Sequence, residues 1–141
     1  MDIVGRDGVD LREMWGDRPV AYLGITVPGF PNFFCMYGPG TNLAHGGSLI
    51  LHSECQIRYI TDALEQLIAT NGRAMEPLQE KCDDWFARSQ AELKTLVWAQ
   101  PSVKHSFYKN ADCEIYGLSP WRLVDYWTWT KAADLDDYVV T

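Results

Sequence analysis

The chain has 141 residues, enough for one domain with a real core, and its 47% apolar and 22% charged residues are those of an ordinary folded protein rather than a disordered or fibrous one. A formal net charge of -7 and a pI near 4.8 argue against a nucleic-acid partner, which needs clustered Lys and Arg. No apolar run is long enough to span a bilayer, and no basic-then-apolar leader follows Met1, so the sequence predicts a cytoplasmic protein without a membrane partner.

Along the chain, Gly5 and Gly8 punctuate turns, and Asp10 is placed to cap one helical turn over residues 11–15 that Gly16 stops. Residues 21–27 alternate weakly and end at Pro28-Gly29, a turn signal. Residues 32–37 are a continuous apolar run, the pattern of a strand buried on both faces. A long amphipathic helix is predicted over residues 47–69, with Ile50, Ile57, Ile60, Leu64 and Leu67 on one face together with Ser53. Ser48 caps it and Asn71-Gly72 closes it.

Glu76 and the residues before it read as a short strand. A second helix follows, carried by Leu78, Cys82, Trp85, Ser89, Leu93 and Leu96, with Pro77 suited to its first turn. Residues 103–109 and 113–116 flank Asn110-Ala111-Asp112 as a hairpin would. Ser119-Pro120 has the cap-and-first-turn pattern of a helix reaching about Lys131 and carrying Trp121, Val124, Trp127 and Trp129. Residues 134–141 are acidic and then β-prone.

The loop Gly38-Pro39-Gly40-Thr41-Asn42-Leu43 stands between the predicted strand and the long helix, where bare N–H groups and a helix N-terminus favour polar or anionic ligand atoms. It holds two thirds of a dinucleotide fingerprint, but Leu43 takes the third glycine position and the loop is too long for that tight turn. Contact with a cofactor through backbone groups and the Asn42 amide is favoured over phosphate cradling; the alternative is that the glycines only turn the chain.

His45-Gly46-Gly47 is similar to an esterase oxyanion loop, yet no G-x-S-x-G elbow accompanies it. His45 and His52 with Glu54 make a weak metal set, because the histidines are seven apart rather than four, and both read as surface or helix-entry residues. His105 stands alone and receives no role. Cys35, Cys55, Cys82 and Cys113 form no C-x-x-C pair and read as reduced packing residues, with no metal site. Trp121, Tyr126, Trp127 and Trp129 with Phe107 and Tyr108 either line an apolar pocket or fill the core, and helical spacing favours the core. Asp83, Asp84, Asp134, Asp136 and Asp137 read as solvated faces and helix-end charges.

Several segments together resemble the C-terminal part of a class B flavoprotein monooxygenase of the Baeyer–Villiger type, close to 4-hydroxyacetophenone monooxygenase. They are residues 21–32, Tyr37-Gly38-Pro39-Gly40-Thr41-Asn42, Ser53-Glu54-Cys55-Gln56-Ile57-Arg58-Tyr59-Ile60, Ser106-Phe107-Tyr108-Lys109-Asn110 and Pro120-Trp121-Arg122-Leu123-Val124-Asp125-Tyr126-Trp127. The resemblance implies an oxidoreductase in which NADPH reduces FAD, the reduced flavin reacts with oxygen, and a ketone becomes an ester or lactone. It also implies that residues 33–37 are the last strand of the FAD domain, and that Gly38, Pro39, Gly40, Thr41 and Asn42, with His45 beside them, face the flavin ring.

The family's two G-x-G-x-x-G motifs, its signature motif and its active-site arginine are not among these residues, and Phe107 stands where relatives often carry Trp. The expectation is therefore a fragment inactive alone, with Met1 an internal methionine, FAD and NADPH as cofactors of the whole enzyme, and no catalytic residue in this part. The implied fold is mixed α/β: residues 1–72 supply the last strand, flavin-facing loop and helix of a partial Rossmann-like FAD domain, and residues 73–141 a helix, hairpin and helix packed on it. A non-catalytic interaction module derived from such an enzyme is the alternative. In either case an exposed strand edge favours self-association.

Overall fold

The computed structural model describes residues 2–44, 46–103 and 106–141. Asp10 opens α1 (Leu11–Trp15) as its composition requires, its side chain accepting from the N–H groups of Arg12 and Glu13. Gly16, at φ 51°, ends the turn and returns its N–H to the Arg12 carbonyl. The long helix α2 (Leu49–Ala69) begins where Ser48 accepts from the Leu51 N–H at 3.2 Å. Strand β2 (Met75–Pro77), helix α3 (Gln79–Leu93), helix α4 (Leu123–Trp129) and strand β4 (Tyr138–Val140) complete the frame.

Two small sheets fix how these elements meet. β2 pairs antiparallel with β4, with Glu76 opposite Val139. The second sheet joins β1 (Asn42–Leu43) in parallel to β3 (Leu118–Ser119), which brings the glycine loop against a segment far along the chain. The largest core cluster draws Leu23 and Ile25, then Cys55, Tyr59, Ala63 and Leu67 from α2, then Met75, Trp85, Tyr126 and Tyr138. Residues before and after position 72 thus share one core. Glu76 is buried within it because its carboxylate accepts from the Gly29 N–H at 2.6 Å and pairs with Arg6 at 2.7 Å.

Four expectations from the sequence need correction. Residues 33–37 do not form a strand: Phe34 makes an isolated bridge to Thr26, and the segment is bracketed by Asn32 and Tyr37 at positive φ. A strand needs a continuous ladder of backbone partners, and the described residues give this segment the single bridge of Phe34 to Thr26. The C-terminal helix starts at Leu123 rather than after Pro120, because Leu118 and Ser119 are held in the pairing with β1. Pro77 lies in β2, not in the first turn of α3.

The fourth correction concerns α2, whose inward face carries His52, Cys55, Gln56, Tyr59, Ala63 and Leu67, while Ile50, Ile57 and Leu64 face solvent. By contrast, the stripe Cys82, Trp85, Ser89 and Leu93 of α3 is buried as the periodicity predicts. The expected hairpin is reduced to one antiparallel bridge, Lys109 to Ile115.

Candidate functional site

The glycine loop is built by close backbone approach. A Cβ on Gly38 would stand 2.5 Å from the Gly24 carbonyl oxygen and 2.7 Å from the Cys35 Cβ, so only glycine fits. Gly40, at φ 71°, takes the left-handed conformation and donates its N–H to the Tyr116 carbonyl at 3.0 Å. Thr41 is buried, and its hydroxyl donates to the Gly38 carbonyl at 2.6 Å, closing the turn from within. The N–H groups of Asn42 and Ala44 donate to the carbonyls of Gly117 and Ser119.

The N–H groups of Gly40, Asn42 and Ala44 are therefore committed to the protein, against the expectation of bare N–H groups throughout. Pro39 and Gly40 line a small cavity of about 20 Å³ together with Trp85, Ser89, Leu93 and Leu118. His45 lies outside the described residues, as does His105.

A buried polar chain ties this loop to the helices behind it. The Tyr37 N–H donates to Gln56 Oε1 at 2.8 Å, Gln56 Nε2 donates to the Tyr126 hydroxyl at 3.1 Å, and that hydroxyl donates to the Leu23 carbonyl at 2.8 Å. The Tyr37 hydroxyl donates to Asn42 Oδ1 at 3.0 Å, fixing the side-chain oxygen. Sequence reading missed Gln56, whose signal is a polar residue on a helix face otherwise filled by Cys55, Tyr59 and Ala63. Tyr126 behaves as the core reading of the aromatic set predicts.

His52 is not a surface residue. It is fully buried, its ring stacked on Tyr126 with centroids 3.9 Å apart and set edge-on to Tyr37 at 6.0 Å. Neither ring nitrogen has a hydrogen-bond partner among the described residues, and burial pushes its pKa down to about 4, so the imidazole is neutral near pH 7. Burial likewise pushes the Cys35 thiol up to about 11 and raises the Tyr126 hydroxyl. His52, Cys35 and Tyr126 are thus uncharged at neutral pH. The arrangement can bind and orient through backbone and amide groups.

The remaining candidates scatter. No group of His, Cys, Asp or Glu among the described residues could hold a metal ion. All four cysteines are unpaired, and Cys113, unlike Cys55 and Cys82, is exposed rather than packed. Phe107 and Trp127 are exposed, whereas Trp85, Trp121 and Trp129 pack on one another with centroids 5.0–5.6 Å apart. Asp137 is not a solvated charge: it accepts from the Tyr22 hydroxyl at 2.6 Å and pairs with Lys81 at 2.6 Å. Arg58 bonds the carbonyls of Trp127 and Thr130, neutralising the C-terminal end of α4.

No family model matches the chain. It is 40% identical over 139 residues to an uncharacterised monooxygenase of Sinorhizobium fredii, covering 98% of this chain and 21% of that protein. It is 34% identical over 139 residues to a Baeyer–Villiger monooxygenase of Streptomyces coelicolor, covering 98% of this chain and 26% of that one. Fungal FAD-binding monooxygenases are among the further relatives. The structure of an oxidized steroid monooxygenase bound to NADP superposes with a TM-score of 0.84 at 26% identity, over 99% of this chain and 26% of that one. The chain thus spans between about a fifth and a quarter of the length of the proteins it matches. Along nearly its whole length it corresponds to one segment of the Baeyer–Villiger type of flavin-dependent monooxygenase.

Proposed function

We propose that this chain works as a segment of a FAD- and NADPH-dependent monooxygenase that inserts one oxygen atom into a small ketone, and that it is inactive alone. The observation that carries this reading is similarity at 34–40% identity to monooxygenases across 98% of the chain. FAD, reduced by NADPH, supplies the oxygen chemistry when bound. The residues present suit one wall of such a site. Gly38, Pro39, Gly40, Thr41 and Asn42 form an edge tied to the protein behind it, and these residues, with His45 following in sequence, would hold and orient a flavin ring. The G-x-G-x-x-G motifs of such enzymes are not among these residues, which leaves the other walls to residues outside this chain. Residues 1–72 are then the flavin-side part and residues 73–141 the part that braces it. Four unpaired cysteines fit a reducing compartment, which supports the cytoplasm as its location.

The test is a chimera in which the matched segment of the Streptomyces coelicolor enzyme is exchanged for this chain. The chimera should hold FAD and oxidise NADPH when a ketone is supplied, while the isolated chain does neither. Stoichiometric FAD on the isolated chain, or a folded chimera that holds no FAD, refutes the reading.

A further inference from the structure

The outer face of α2 is apolar and uncovered. Ile50, Ile57, Leu64 and Ile68 are 67%, 55%, 38% and 73% exposed. On a regular helix these four positions fall within about 20° of one line, a seam roughly 27 Å long. The polar residues beside the seam do not interrupt it. Thr61 donates its hydroxyl to the Ile57 carbonyl of its own helix, and Arg58 is turned onto the carbonyls of α4. Glu54 stands at the border. The opposite face of α2 already packs on the core, so this helix carries apolar side chains on its outer face as well as its inner one, with Glu54, Arg58 and Glu65 on the flanks between them.

We propose that the Ile50, Ile57, Leu64 and Ile68 seam is the docking face for the part of a flavin monooxygenase polypeptide lying outside this segment, which meets it with an apolar helix or sheet face. The inference rests on the functional reading above and adds the surface through which the segment joins the rest. Two observations select this occupant. The matched relatives and the steroid monooxygenase embed the same segment in proteins about four to five times its length. The formal net charge of -7 on each chain weighs against a second copy here, and residues 33–37 do not form the strand whose edge the sequence offered for self-association.

The double variant Ile57→Glu/Leu64→Glu tests it in the isolated chain and in the chimera. Both positions are exposed in the isolated chain, so its melting temperature should move by no more than about 2 °C, whereas the chimera, which buries them, should lose at least about 5 °C. The swap Ile57→Leu/Leu64→Ile should leave both unchanged. A chimera indifferent to the glutamates, one that fails to fold, or an isolated chain that unfolds on substitution overturns the proposal. So does an isolated chain that dimerises and is made monomeric by the glutamates, read by light scattering. A seam-sensitive chimera that holds no FAD refutes the functional reading and leaves the docking face standing.

Discussion

His52 makes acid stability a direct reading of the packing behind the loop. In the unfolded chain its imidazole takes up a proton near the ordinary value of 6.5, but in the folded chain, sealed between Tyr37 and Tyr126, only near pH 4. Above pH 6.5 both states are neutral there and His52 contributes no pH dependence. As the pH falls from 6.5 toward 4 the unfolded state alone gains the proton, so stability drops. Between pH 7.5 and 5, linkage gives a loss of about 2 kcal/mol, in a range where most carboxylates remain ionised. Urea unfolding at the two pH values should show this for the natural chain, and His52→Leu should lose that increment whatever its own stability at pH 7.5. A folded-state imidazole titrating near 6.5 by NMR, or equal pH slopes for the two chains, refutes the buried, unpartnered histidine.

Two further substitutions probe the brace. Tyr126→Phe removes the hydroxyl between Gln56 and the Leu23 carbonyl and leaves both buried groups unpaired; urea unfolding should show a loss of about 2 kcal/mol, and a loss under about 0.5 kcal/mol would mean the chain of bonds is not formed. Gly38→Ala drives a methyl into the Gly24 carbonyl oxygen and the Cys35 Cβ, and should lower the melting temperature of the isolated chain by roughly 4–8 °C, with no change expected for Gly8→Ala beyond the strain of its positive φ.

Local rules made α1, the start of α2 and the buried stripe of α3 legible, because Asp10, Ser48 and the Cys82, Trp85, Ser89, Leu93 spacing act within a turn or two of themselves. The inward face of α2 was not legible. Periodicity ranks the aliphatic stripe first, yet the helix turns Tyr59, Gln56 and His52 inward, where aromatic and polar partners on α4 and β4 receive them. The strand expected over residues 33–37 failed for a related reason: the run is only half-buried, with Met36 exposed, and apolar composition does not record whether ladder partners exist. The loop was legible as glycine-rich and turn-forming. That Gly40, Asn42 and Ala44 spend their donors on residues 116–119 depends on a pairing between distant segments that no local pattern records.

That parallel pairing of β1 with β3 also sets an order of events. The inner edge of the loop cannot close until residues 116–119 have been synthesised and α3 has folded back, so the wall forms late and by a long-range encounter, the slow kind of folding step. The same geometry makes the wall vulnerable at a distance. A protease cut anywhere between α3 and β3 would leave the glycine loop chemically intact while freeing the strand that holds its donors in place.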